Sequence, residues 1–295
     1  MNSIIHNPKA LIFSTLNAGV MSWKSGWLQF EQPSAQGDVS QLLEKAYLLI
    51  QSADSKEKAL GIITAYENAL KIEPKNPEAL LGAGLYSFLI GYGYSDQKEE
   101  KIDFYSKAIK YFEQQMYLNK EFARLIDKSQ KPWSAFAALS RNELDALFFY
   151  YLATGSLWKE CLGGVGKIFN LHWGGRLKKM LKALLEIDPM WGGGTPYYAW
   201  AGYYASAPGF AGGDIKKAEE YYEKAIELGP EMLNFRRTRA LFLHTRNKNR
   251  DAFKEDLQWV VAQNPNVVRH YFTYPWNIFV QRDAQYMLDH IDNYF

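Results

Sequence analysis

The feature that most constrains this chain is a spacing: a small residue, an aromatic four positions on, a small residue three after that, and a proline five further along. It is clearest in GGDIKKAEEYYEKAIELGP, where Ala218, Tyr222, Ala225 and Pro230 stand at those offsets. Gly213 lies in the preceding turn and Asp214 is placed to cap the helix. Steps of four and three put these side chains on one helical face. The small residues admit a second helix closely, the ring fills the gap between them, and proline stops the helix. TAYENALKIEPKNPEALLGAGL supplies Tyr66, Ala69 and Pro74, then Leu81 and Gly82 at the start of the next unit. KAIKYFEQQMYLNKEF gives Ala108 and Phe112, with Lys120 where proline would stand. LKKMLKALLEIDPMW ends in Pro189 and FKEDLQWVVAQNPN in Pro265, so four of these five helices close on proline.

This is the spacing of tetratricopeptide repeats, and from about Val39 onward most segments have helical periodicity. The expected fold is all-α: irregular tetratricopeptide-like helical repeats forming a solenoid or bundle. The insertion Glu121 to Asn142 and the glycine-rich stretch Trp191 to Asp214 interrupt the period. A repeat stack needs a cap on its open end. NIFVQRDAQYMLDHIDNYF sets Ile278, Phe279, Ala284, Met287, Leu288 and Ile291 roughly on one side and reads as a C-terminal capping helix. The expected organisation is a single repeat domain over 1–295, with an N-terminal helix and lead-in over 1–38. Repeats with an insertion follow over 39–143, further repeats over 144–266, and the cap over 267–295. The N-terminal run PKALIFSTLNAGVMSW reads as an amphipathic helix rather than a secretion signal, because Ser14, Thr15 and Asn17 break its apolar run.

Few residues carry reaction chemistry. The histidines His6, His172, His244, His270 and His290 include no pair at i, i+3 or i, i+4, so no metal site and no metal cofactor are expected. One cysteine, Cys161, excludes an intrachain disulfide framework and a thiolate zinc site. GGVGKIF has no preceding apolar strand and no Ser or Thr after Lys167, which argues against a phosphate loop. No nucleophile–base set is visible, so no catalytic residue is expected. A net charge of +2 gives nucleic acid no electrostatic footprint. No segment approaches the ~18 uninterrupted apolar residues of a membrane span.

The aromatics are more informative, at 16% of the chain. DALFFYYLATGSLW carries Phe148, Phe149, Tyr150, Tyr151 and Trp158 around most of a helix, more than one packed face absorbs. In WGGGTPYYAWAGYYASAPGFAGGD, Thr195 is placed to cap a short helix with Pro196 at its first turn. Tyr197, Trp200, Ala201 and Tyr204 then form one stripe, and Tyr198, Gly202 and Ala205 another. A repeat core takes one such stripe; the surplus suits the wall of an apolar cavity with a few polar contacts. The cavity-lining candidates are Phe148, Tyr151, Trp158, Trp191, Tyr197, Tyr198, Trp200, Tyr204 and Phe210. In FRRTRALFLHTRNKNR, Arg236, Arg239 and Arg246 follow one helical stripe, either an ordinary exposed face or a docking face for an acidic partner.

From about Leu144 to Asn266 the sequence resembles the T components of TRAP transporters, the TatT-type tetratricopeptide proteins. The resemblance rests on Asp188, Pro189, Trp191, Gly192, Gly193, Pro208, Gly212, Gly213, Asp214, Lys217 and Ala218. Downstream, Phe253 and Leu257 keep the family's Phe-to-Leu spacing, with Arg250 and Asp251 in swapped order. The resemblance implies a non-enzymatic periplasmic protein built around a passage, which binds an apolar small molecule or lipid. It also implies docking to a TRAP-type periplasmic solute-binding protein and assembly as a homotrimer. Members are typically lipid-anchored; Cys161 is internal and cannot be the anchor, so an anchor would lie outside this chain. The alternative is a plain tetratricopeptide scaffold that binds a protein or peptide on a concave face.

Overall fold

The computed structural model describes residues 30–129, 131–267 and 271–295. Most of the expected N-terminal helix and lead-in lies outside them. Thirteen α-helices and no strand are found among the described residues, in keeping with the all-α expectation. They are α1 (Val39–Ile50), α2 (Lys56–Ile72), α3 (Pro77–Gly93), α4 (Lys98–Tyr117), α5 (Lys120–Ser129), α6 (Leu144–Ser156) and α7 (Gly164–Phe169). After these come α8 (His172–Ile187), α9 (Trp191–Ser206), α10 (Ile215–Leu228), α11 (Leu233–Arg239), α12 (Arg250–Val261) and α13 (Tyr274–Asp289). The chain divides into two compact units, one from Met1–Ala46 and Leu60–Met180, the other from Tyr47–Ala59 and Leu181–Phe295.

In the first unit, α3 packs along α4, and α6 lies against both. Asn76 caps α3 by accepting the Ala79 N–H at 2.9 Å, and Pro77 opens its first turn. Three glycines of α3 lie under aromatic rings. A β-carbon at Gly82 would stand 2.3 Å from the Tyr66 ring of α2, and one at Gly84 2.6 Å from Phe112 of α4. One at Gly91 would stand 2.9 Å from Tyr105. The aromatic and small positions of the repeat pattern therefore meet as the spacing requires. The core continues through Phe88, Phe112, Phe148 and Phe149, whose rings pair at 5.9, 6.0 and 5.0 Å. Each such pair contributes about 0.5–1.5 kcal/mol beyond its buried area. The sequence insertion is occupied by α5 and by 3-10 turns at Pro132–Ser134, Phe136–Ala138 and Arg141–Glu143. The helix α6 runs on into a π turn at Leu157–Cys161.

In the second unit, α9 and α10 form a closely packed pair, and α11 meets both α12 and α13. Asp214 caps α10 on the Lys217 N–H at 3.2 Å, and Ala218, Tyr222 and Ala225 are fully buried. Gly213 is required by close approach: a β-carbon there would stand 1.8 Å from the Ala207 carbonyl oxygen. On α13, Phe279, Ala284 and Met287 are buried, together with Trp276 and Val280, while Ile278, Leu288 and Ile291 of the expected face are half-buried. Gln281 ties the helix to the end of α12 by donating to the Val260 and Gln263 carbonyls at 3.1 and 2.7 Å.

Candidate functional site

Three glycines set the geometry at the start of α9. Gly192, Gly193 and Gly194 have φ of 57°, 64° and 87°, a left-handed turn that only glycine enters without strain. The regular helix begins after them. Thr195, expected to cap it, instead donates its hydroxyl to the Gly192 carbonyl at 2.7 Å and meets the Tyr271 hydroxyl at 2.6 Å. Trp191 is buried and stacks on Tyr271 at 5.1 Å. Tyr198 is buried too, stacked on Phe235 at 4.7 Å, and its hydroxyl accepts from Asn234 Nδ2 at 2.7 Å. Both belong to the interior of the second unit.

The stripe on the other side of α9 is half-buried and forms a platform. Trp200 stacks on Tyr204 at 5.3 Å. Tyr221, from α10, touches Tyr204 at 5.4 Å and Tyr197 at 5.7 Å. Trp200 donates its indole N–H to the Leu181 carbonyl at 3.1 Å, which fixes the ring. The Lys217 ammonium lies 5.7 Å from the Tyr204 ring. Burial, then the neighbouring Tyr221 and Asp214, raise the Tyr204 phenol above its ordinary value, so it is a neutral hydrogen-bonding group. Tyr221 was absent from the sequence candidates. Its signal is the doublet Tyr221–Tyr222, in which the repeat pattern claims only the second ring.

The remaining aromatic candidates lie elsewhere. Phe210, in the 3-10 turn Gly209–Ala211, is 89% exposed and lines nothing within this unit. Phe148, Tyr151 and Trp158 belong to the first unit. Phe148 is fully buried, Tyr151 is half-buried, and Trp158 is half-buried with the Lys167 ammonium 5.8 Å from its ring. The Trp158 indole nitrogen is hidden from solvent without a hydrogen-bond partner.

Two arginines of the stripe turn inward. Arg239 clasps Asp256 through Nε at 2.7 Å and Nη2 at 2.6 Å, Arg236 adds Nη1 at 3.2 Å, and His244 Nε2 lies 3.1 Å away. Burial alone would push the Asp256 carboxyl up, but hydrogen bonds from His244 and Arg239 outweigh it and hold the group below its ordinary value. Arg246 donates to the Ala205 carbonyl at 2.6 Å. Arg236 and Arg239 of the stripe thus serve the packing of α11 and α12, while Arg246 is exposed.

No set of three His, Cys, Asp or Glu residues able to hold a metal occurs among the described residues. The buried Cys161 thiol is pushed up to about 11 by burial and then by Glu160. Burial alone lifts the Asp145 carboxyl to about 6. Among the described residues no helix is long and apolar enough to cross a membrane.

A family model described as TRAP transporter T-component matches residues 95–295. The match extends past the expected segment at both ends and takes in the insertion and the C-terminal helix. A comparison with curated proteins finds no match.

Proposed function

This chain belongs to the TRAP transporter T-component family, and we propose that it acts as a non-catalytic periplasmic component that binds an apolar or lipid-like ligand and docks a TRAP-type solute-binding protein. The observation that carries the ligand reading is the half-buried platform of Tyr197, Trp200, Tyr204 and Tyr221. Apolar bodies with polar tips gather there beyond what the buried Trp191 and Tyr198 already supply to the core. Such rings bind an apolar molecule by area and orient it by a few hydrogen bonds.

The docking reading follows from the family. Arg246 is the sequence-proposed docking residue least committed to ion pairing, since Arg236 and Arg239 share Asp256. By the family reading, the protein is expected to assemble as a homotrimer and to be held at the membrane by a lipid anchor.

The test is native mass spectrometry of the purified chain with organic extraction and analysis of what is released. Retention of a fatty acid, sterol or aromatic compound that is lost in Trp200→Ala supports the platform. A chain that arrives empty and binds none of these, yet captures a peptide through an exposed groove, would favour the scaffold reading instead.

A further inference from the structure

One helix of the first unit is inside out. An ordinary surface helix turns its apolar stripe to the core and its polar side to water. In α7 (Gly164–Phe169) the two sides are exchanged. Its inner side is Gly166, which is buried, and Asn170 one turn on, which is fully buried. Asn170 is tied to the helix by donating Nδ2 to the Gly166 carbonyl at 2.7 Å. Val165, Ile168 and Phe169, at i, i+3 and i+4, share the outer side, and Leu171 follows them. All four are between 56% and 68% exposed. Elsewhere among the described residues, large apolar side chains this exposed occur singly or as the pair Tyr47 and Leu48. Rotation does not relieve the inversion. Turning α7 about its axis would press branched chains and a ring into the place of a glycine and bring the Asn170 amide out.

The charges beside the stripe are of one sign. Lys167 lies on α7 itself, its ammonium 5.8 Å from the half-buried Trp158 ring. From Cys161 to Met180 the chain carries Lys167, Arg176, Lys178 and Lys179 and no Asp or Glu, although the whole chain is nearly neutral at +2. The acid next to this run, Glu160, is engaged. It accepts from Lys101 Nζ at 2.8 Å and from the Tyr105 hydroxyl at 3.0 Å.

We infer that Val165, Ile168, Phe169 and Leu171 form a wedge that enters the interfacial layer of an anionic bilayer, with Lys167 at the headgroups. An apolar helix side bordered by cations binds such a surface by buried area and by attraction to anionic lipid. A lysine beside it keeps its stem in the apolar layer and its ammonium among the phosphates. The outer stripe carries no hydrogen-bonding side chain. That suits lipid tails, which offer no partner, better than a protein surface, where about one hydrogen bond forms per 100–200 Å². The contact needs no covalent lipid and uses residues of the first unit alone. It is therefore independent of the Tyr197–Trp200–Tyr204–Tyr221 platform.

The experiment is flotation of the full chain, without acyl modification, with vesicles of phosphatidylcholine alone and with vesicles of phosphatidylcholine and phosphatidylglycerol. The chain is expected to float with the anionic vesicles, to bind the neutral ones at least about tenfold more weakly, and to be released as salt is raised. Ile168→Asp and Phe169→Asp should each weaken binding at least about tenfold through lost apolar burial. Lys167→Gln should weaken it about fivefold. Leu48→Asp, at a comparably exposed residue on another helix, should bind as the unaltered chain does. Circular dichroism establishes that the variants fold. An environment-sensitive dye on Val165→Cys, expected to shift to the blue on anionic vesicles, reports insertion even if an Asp variant does not fold. No flotation with anionic vesicles, flotation unchanged in both Asp variants, equal binding to the two kinds of vesicle, or an unshifted dye would overturn the assignment. So would Asp variants that change only the oligomeric state in solution, which would give the stripe to contact between copies of this chain.

Discussion

Asp256→Asn separates an internal charge network from an exposed arginine face. The carboxylate is 1% exposed and accepts from Arg239 at 2.7 and 2.6 Å and from Arg236 at 3.2 Å, with His244 at 3.1 Å. Asparagine keeps the volume, removes the charge and turns an amide donor toward groups that are already donors. Breaking a buried ion pair from one side costs about 3–5 kcal/mol. The Arg236 and Arg239 side chains keep 24% and 20% of their surface, so part of their charge is recovered by water. The expected loss is therefore about 2–4 kcal/mol, read from urea unfolding curves at neutral pH. The pH dependence adds a second reading. A carboxyl whose folded value lies below its unfolded one stabilises the fold at higher pH, and that stabilisation is lost as pH falls through the folded value. The gap between the wild-type chain and Asp256→Asn should be full at neutral pH, begin to shrink near about pH 4, and close only below the folded value of the carboxyl. A loss under about 1 kcal/mol, the range of surface ion pairs, would refute the reasoning. So would a gap that persists in acid while both chains remain folded.

Gly82→Ala should destabilise the first unit by about 1–3 kcal/mol, because its β-carbon would stand 2.3 Å from the Tyr66 ring. Adding Tyr66→Leu should recover part of that loss in the same melting assay, and no recovery would argue against this helix contact. Trp200→Ala should abolish ligand retention while costing less than the ~3–5 kcal/mol of a fully buried tryptophan. Unchanged ligand release with a large drop in stability would place Trp200 in the core alone. Cys161, with its thiol raised to about 11 and buried, should resist alkylation at pH 8 in the native chain and react once the chain is unfolded. Rapid native labelling would count against the described environment.

The repeat spacing made the helices and much of their packing legible. Ala218, Tyr222 and Ala225 are fully buried, and the Tyr66–Gly82 and Phe112–Gly84 contacts pair ring with glycine across neighbouring helices. Helical periodicity reports which side chains share a face, but not what that face meets. Tyr197 and Tyr198 are adjacent and chemically identical, yet one stands on the half-buried platform and the other stacks beneath Phe235. Asp256 looked like any acid on a mixed helix face because its partners come from another helix. The π turns at Leu157–Cys161 and Ala240–His244 carry no residue that announces them.

The left-handed turn at Gly192, Gly193 and Gly194 has a consequence at the level of the genetic code. Single-base changes to a glycine codon lead to alanine, serine, valine, cysteine, arginine, tryptophan, aspartate or glutamate. Most of these enter left-handed backbone only with strain. Asparagine, which tolerates it better, lies at least two base changes away from every glycine codon. At three consecutive positions, then, aspartate is the one single-base product with some tolerance for this backbone. Drift can repaint the platform of tyrosines one ring at a time, but it has little means of altering the turn from which their helix begins.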